Sequence, residues 1–238
     1  MPGGIHFILK DILKKYQPDF FPVVEFHPQT DSLLLLDFTS ANTTLTPALL
    51  ENTEKYSDYI DDKLKAAGAL YGIGGYGENR TVYSRSKYFD GALAGDEPRR
   101  LHLGVDIWGR HNTAIRAPLD GIVHSFAFNN HFGDYGATII LAHQLDGRAF
   151  YTLYGHLSLN DLKNLEEGQT IRKGETFAEF GLPFENGHWP PHLHFQIIID
   201  LENHKGDYPG VCKLSEKEKY FLNCPDPDLI LQMNRYLK

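Results

Sequence analysis

The chain has 238 residues, 42% of them hydrophobic and 23% charged, with a formal net charge of −8. That length suits one sizeable domain with an extension, or two small domains, and the composition is that of an ordinary globular protein. The acidic balance argues against a nucleic-acid surface, which needs a basic stripe, and against electrostatic attraction to acidic membranes or polyanionic wall polymers.

Ile5, Leu9, Ile12, Leu13 and Tyr16 recur at helical spacing, and Pro18 and Pro22 end the pattern. This opening is no signal peptide, because Lys10, Asp11, Lys14 and Lys15 interrupt its short apolar run. The expected location of the chain as written is therefore the cytoplasm; a secreted or periplasmic protein would have lost a leader. No stretch reaches the apolar length of a membrane span, so no membrane partner is expected. Residues 32–38 (SLLLLDF) read as a short buried strand. Thr46-Pro47 opens a second helix, with Thr46 as N-cap, running to about Ala67 with a charged outer face.

From Gly72 the texture changes. Glycines recur, and short β-type runs at 121–128, 137–142, 150–154 and 194–200 alternate with turn pairs such as Asn129-Asn130, Asp146-Gly147 and Lys173-Gly174. The expected class is α+β: a mainly antiparallel β core, a sandwich-like sheet with a groove, preceded by a small helical or mixed extension. The expected units are the extension at 1–90, the β-rich domain at 91–200 and an irregular C-terminal segment at 201–238. That last segment has a turn at Pro225–Asp228 leading into a terminal helix over residues 229–237. Cys212 and Cys224 are too few for a disulfide scaffold and read as two reduced thiols.

Three of the patterns carry chemistry. In His192-Leu193-His194, residues two apart on a strand face the same way, so both imidazoles enter one groove. In His102-Leu-Gly-Val-Asp106, an imidazole and a carboxylate form a usual zinc-ligand pair, and Gly104 lets the chain bend to bring them together. In Tyr154-Gly-His156, the histidine sits at the end of a strand-like run. Each pattern alone also fits a bland alternative: groove-lining polar residues, a surface His with a turn Asp, or a turn His bonded to backbone. Together they supply two His and one carboxylate for a three-ligand zinc site, with two more His for proton work. The residues alone leave open whether His192 or His194 holds the metal. His6, His27, His111, His124, His131, His143, His188 and His204 take ordinary structural roles.

The order HxxxD, YGHL, HLHF resembles the lysostaphin/LytM-type zinc endopeptidases, which cut peptide cross-links of bacterial peptidoglycan. Ala117-Pro-Leu-Asp-Gly121 and Gly168–Gly174 match further segments of that family, so the likeness covers roughly residues 95–200. It implies one Zn²⁺ held by His102, Asp106 and His194, with His156 and His192 as catalytic residues beside it. The implied substrate is a peptide or amide, peptidoglycan-derived in the family. A narrower resemblance runs through Gly74–Arg80, Pro190–Gln196 and Asp207–Val211. It points to peptidase-like domains of large cytosolic proteins fused to kinase-like and aminotransferase-like domains, and so to a cytosolic amidase. On that view Arg80 and Tyr76 grip a substrate carboxylate or phosphate, or simply hold a loop. A non-catalytic zinc-binding regulatory module, and an enzyme kept latent by its N-terminal segment or by the loop at Asn79, are the other readings.

Overall fold

The computed structural model describes residues 2–91, 93 and 95–237, with side chains from residue 8 onward. Helix α1 (Pro2–Lys15) buries Leu9 and Leu13, one turn apart, and closes with Lys14 and Lys15 at its negative end. The 32–38 run gives strand β1 (Leu33–Leu36). The single helix expected from Thr46 to Ala67 is two helices, α2 (Pro47–Leu50) and α3 (Thr53–Ala67). The break comes from Asn52. It leaves the helical region, and its side chain accepts from the Lys55 amide at 3.0 Å, capping α3 as Thr46 caps α2 through Leu49.

Eleven further strands follow: β2 (Tyr71–Gly74), β3 (Leu101–His102), β4 (Val105–Trp108), β5 (Ala114–Arg116), β6 (Gly121–Asn129), β7 (Gly136–Leu145), β8 (Arg148–Leu157), β9 (Thr170–Ile171), β10 (Thr176–Glu179), β11 (His192–Ile198) and β12 (Val211–Cys212). Eight of the strands form one sheet in the order β1-β2-β4-β11-β8-β7-β6-β9. Its pairs are antiparallel except β1–β2. Strands β5–β10 and β3–β12 form two small ribbons beside it. The class is thus the expected α+β, dominated by an antiparallel sheet. β1 and β2, from the first ninety residues, extend the same sheet that carries the motifs. The β7–β8 hairpin turns on Asp146 and Gly147, both left-handed at φ 47° and 73°, as a two-residue turn between twisted strands requires.

Strand alternation sorts the two faces. Ile73, Ile107, Leu193 and Phe195 point into the main core with Leu9, Leu13, Val23 and Ile230. Asp106, Trp108, His192 and His194 point the other way. There, α3, the segment after β2 and the loop before β11 supply an aromatic cluster of Tyr56, Tyr83, Phe89 and Trp189 around Trp108. A third cluster, around Leu101, Tyr135, Leu153 and Tyr208, includes Cys212 and Cys224, which are free and buried. Burial pushes both thiols up to about 12.

Near the C-terminus two more helices form, α4 (Lys217–Asn223) in the stretch expected to be irregular, and α5 (Asp228–Leu231). The helix expected over 229–237 stops early because the Asp228 carboxylate takes the amides of Met233 and Asn234, at 2.8 and 3.0 Å. Among the described residues no helix is long and apolar enough to cross a membrane.

His143 on β7 gives a pH prediction away from the motifs. Its Nδ1 donates to the Asp120 carbonyl at 2.9 Å and its Nε2 lies 2.7 Å from Thr152 Oγ1. Burial pushes its pKa down to about 4. The unfolded chain, near 6.5, therefore takes the proton first, and the stability His143 contributes is complete above pH 6.5 and is lost as pH falls toward 4. The gap is worth about 3 kcal/mol. Chemical denaturation from pH 7 to 4 is expected to show a shallower loss for His143→Gln than for wild type. Parallel curves would rule out this residue as a source of the acid sensitivity.

Candidate metal centre

The centre is assembled from three strands and one loop. His102 ends β3, Asp106 lies on β4 and His194 on β11, where His194 sits opposite both Asp106 and Gly155 of β8. The three donor atoms form a nearly equilateral triangle. His102 Nε2 and His194 Nδ1 are 3.0 Å apart, and Asp106 Oδ1 lies 3.2 and 3.1 Å from them. Asp106 and both imidazoles are almost completely buried.

The outer hydrogen bonds decide which atoms carry protons. His102 Nδ1 faces the Gly75 carbonyl at 3.0 Å and must donate to it, which leaves Nε2 with a lone pair. His194 Nε2 faces Gln196 Oε1 at 2.9 Å, and the Gln196 amide is oriented by its own donation to the Pro209 carbonyl. His194 Nδ1 is therefore also a lone pair. Burial, with Arg80 nearby, pushes the pKa of His102 down to about 4, so it is neutral at pH 7. Burial alone would raise Asp106, but the buried Arg80 guanidinium, which donates to its Oδ2, outweighs it and holds the carboxyl well below its usual range. With those outer bonds made, the three inner atoms converge as acceptors, an arrangement that a cation among them would satisfy. Tetrahedral zinc ligands at 2.0–2.1 Å stand about 3.3 Å apart, close to the edges found here. The residues fit a zinc ion, with the outer partners that such ligands usually have.

Gly104 is explained by close approach. A Cβ there would lie 2.4 Å from His194 Cε1 and 2.8 Å from the Phe195 carbonyl. Gly104→Ala is expected to displace the His194 ring and weaken zinc binding about 10–100-fold, read by chelator competition. Unchanged affinity would show that the ring tolerates the shift.

His156 and His192 lie beside the triangle. His156 is the extra residue where the β7–β8 register shifts, and its φ is 65°. A bulge of this kind re-aims a side chain, here toward β11. The rings of Trp108, His192 and His156 stack in sequence, with centroids 3.8 and 4.1 Å apart. His156 Nδ1 donates to the Asn186 carbonyl and His192 Nδ1 to the Pro190 carbonyl, both at 2.8 Å. Each Nε2 is left as an acceptor. Burial pushes His192 down to about 4 and holds His156 well below its ordinary value, so both are neutral at pH 7.

The rim before β11 is stiff. Asn186 is buried, donates to the Gly181 and Trp189 carbonyls and accepts from the Trp189 amide, each at 3.0 Å. Trp189, Tyr83, Tyr88 and Phe89 wall a cavity that reaches the triad, with Asp134, Asp207 and Arg99 also lining it. Burial raises both acids, Asp134 to about 6.

Several participants were not singled out in the sequence. The Tyr135 ring fills the space left by Gly155 and packs edge-on against His194 at 5.1 Å. Gln196, two residues beyond His194 on the same face, could have been found from strand period alone. Arg85 is buried among Tyr56, Phe132 and Trp189, its guanidinium 4.6 Å from the Trp189 ring. Arg80 is 2% exposed and bonds Asp106, so it belongs to the wall of the centre. Tyr76 stacks on Phe221 and donates to the Cys224 carbonyl, outside the cavity lining. Asn79 is exposed and pairs through its backbone with Leu101, also outside that lining.

Residues 100–206 match the model of peptidase family M23. A Haemophilus influenzae protein named only as an uncharacterised metalloprotease is 37% identical over 102 residues, 42% of this chain and 19% of the relative. The L-Ala–D-Glu endopeptidase of Bacillus subtilis is 29% identical over 147 residues, 59% of this chain and 42% of the relative. The chain thus spans less than half the length of either relative. Among solved structures, the catalytic domain of the antimicrobial peptidase lysostaphin from Staphylococcus simulans is 21% identical, with a TM-score of 0.39, covering 68% of this chain and 97% of that one.

Proposed function

We propose that the chain is a zinc-dependent hydrolase of the peptidoglycan endopeptidase type, cleaving a peptide or amide bond with water. The observation that carries this reading is the convergence of His102 Nε2, Asp106 Oδ1 and His194 Nδ1 beside the imidazoles of His156 and His192, whose Nδ1 atoms are both taken by backbone carbonyls. His102, Asp106 and His194 would hold one Zn²⁺, which when bound polarises the scissile carbonyl and makes water nucleophilic near neutral pH.

The remaining chemistry belongs to the chain. His192 Nε2 accepts the proton that water loses and returns it to the leaving amine. The backbone bond from His192 Nδ1 to Pro190 fixes the tautomer needed for this. Stacking on Trp108 holds the ring plane and favours the transient imidazolium. His156, re-aimed by the bulge, shares the proton work or, once protonated, donates to the developing oxyanion. The aromatic wall and the buried triad exclude bulk water, which strengthens these interactions.

The substrate has a second reading. The triad lies deep behind the stiff Trp189 rim, and this favours a short peptide or small amide, as a cytosolic protein would meet, over a bulky cross-linked polymer. Zinc-loaded protein incubated with purified peptidoglycan, and separately with short peptides and amides, tests both. Amine release from peptidoglycan supports the wall reading, and release from the short substrates alone supports the cytosolic one. No release from either by protein shown to hold zinc would overturn the hydrolase assignment.

A further inference from the structure

We propose that Arg80 is a positioning residue of the metal centre, holding Asp106 so that one carboxylate oxygen faces the two imidazoles and the other is withheld. This rests on reading His102, Asp106 and His194 as a metal site. Arg80 Nη1 donates to Asp106 Oδ2 at 2.5 Å, while Oδ1 completes the donor triangle. The guanidinium is itself fixed on its other edge. Its Nε donates to Glu78 Oε2 at 2.7 Å, and Glu78 Oε1 is tied to the Phe38 amide at 3.0 Å. The plane lies over the Phe38 ring at 5.0 Å. Gly74 makes the space, since a Cβ there would fall 2.6 Å from Nη2.

The same loop serves a second donor. The Gly75 carbonyl accepts from His102 Nδ1 at 3.0 Å and from Arg80 Nη2 at 3.4 Å. Residues 74–80 therefore orient two of the three donor atoms, and they lie outside the segment matched by the peptidase family. The part of the chain before residue 100 is then a working wall of the centre. A carboxylate left to itself can offer a divalent cation one oxygen or both. With Oδ2 engaged by a buried, planar, permanently charged fork, only Oδ1 is available.

The test is zinc affinity by chelator competition, together with the visible spectrum of the Co²⁺-substituted protein. Loss of a nearby positive charge alone would tighten binding of a dication. Positioning predicts the opposite sign: Arg80→Met weakens zinc about 10–100-fold. Its Co²⁺ bands lose intensity as Oδ2 joins the ion and the four-coordinate geometry is lost. Arg80→Lys recovers little, because one ammonium cannot hold Glu78 and Asp106 in the same plane. Should Arg80→Met fail to fold, Glu78→Gln loosens the same guanidinium and is expected to shift affinity and spectrum in the same direction, by less. Wild-type affinity and spectrum in a folded Arg80→Met, or failing that in Glu78→Gln, overturn the proposal. Wild-type protein that takes up no ion would instead overturn the metal site itself.

Discussion

His192→Ala is expected to lower kcat by about 10²–10⁴-fold while the chain still takes up one zinc ion. The two effects separate because His192 points at the cavity from β11 without contributing to the donor triangle. Its Nδ1 is occupied by the Pro190 carbonyl, so its free Nε2 is the atom that can receive a proton. The ring also packs between Trp108 and His156, and removing it opens a gap in that stack. His192→Phe keeps a ring in the stack without an acceptor nitrogen and is expected to show the same loss. Turnover within a few-fold of wild type in either zinc-loaded variant would remove His192 from the mechanism and shift the proton work to His156.

Asp106→Ala is expected to abolish zinc binding and also to destabilise the metal-free chain by about 3–5 kcal/mol. The second effect comes from Arg80, which would stay buried with half its charge partnership gone. Breaking one side of a buried pair costs far more than the pair contributes, because the remaining charge has no water to turn to. Urea unfolding in the presence of chelator measures this without interference from the ion. Equal apo stability for wild type and variant would mean that water or Glu78 alone satisfies the guanidinium.

How much of this was legible in the sequence depended on how local each signal was. The pairing of His192 with His194 on one face follows from strand period, and their neighbours Leu193 and Phe195 enter the core as that period requires. The Asp146-Gly147 hairpin and the Thr46 cap were equally local. His102 and Asp106 could be paired only by pattern, since their approach depends on β3 leaving its ribbon and β4 joining the main sheet. The bulge that turns His156 inward is a mismatch between two strands, invisible in either alone. Tyr71–Gly74 looked like the start of a glycine-rich stretch, yet the glycines are there because Leu36 and Arg80 crowd against the strand. Arg80 read as a groove or loop residue because nothing near it in sequence shows the carboxylate that buries it. The helix break at Asn52 could have been anticipated, because Asn-Thr-Glu is a cap sequence inside an otherwise helical run.

The most direct test of the central claim is metal content. Wild-type protein and the double variant His102→Ala/His194→Ala are dialysed against Zn²⁺, and bound metal is measured by mass spectrometry. The donor triangle predicts one ion per wild-type chain and none in the variant. Equal zinc in both, or none in wild type, would contradict it and leave the convergence of His102, Asp106 and His194 without a metal to explain it.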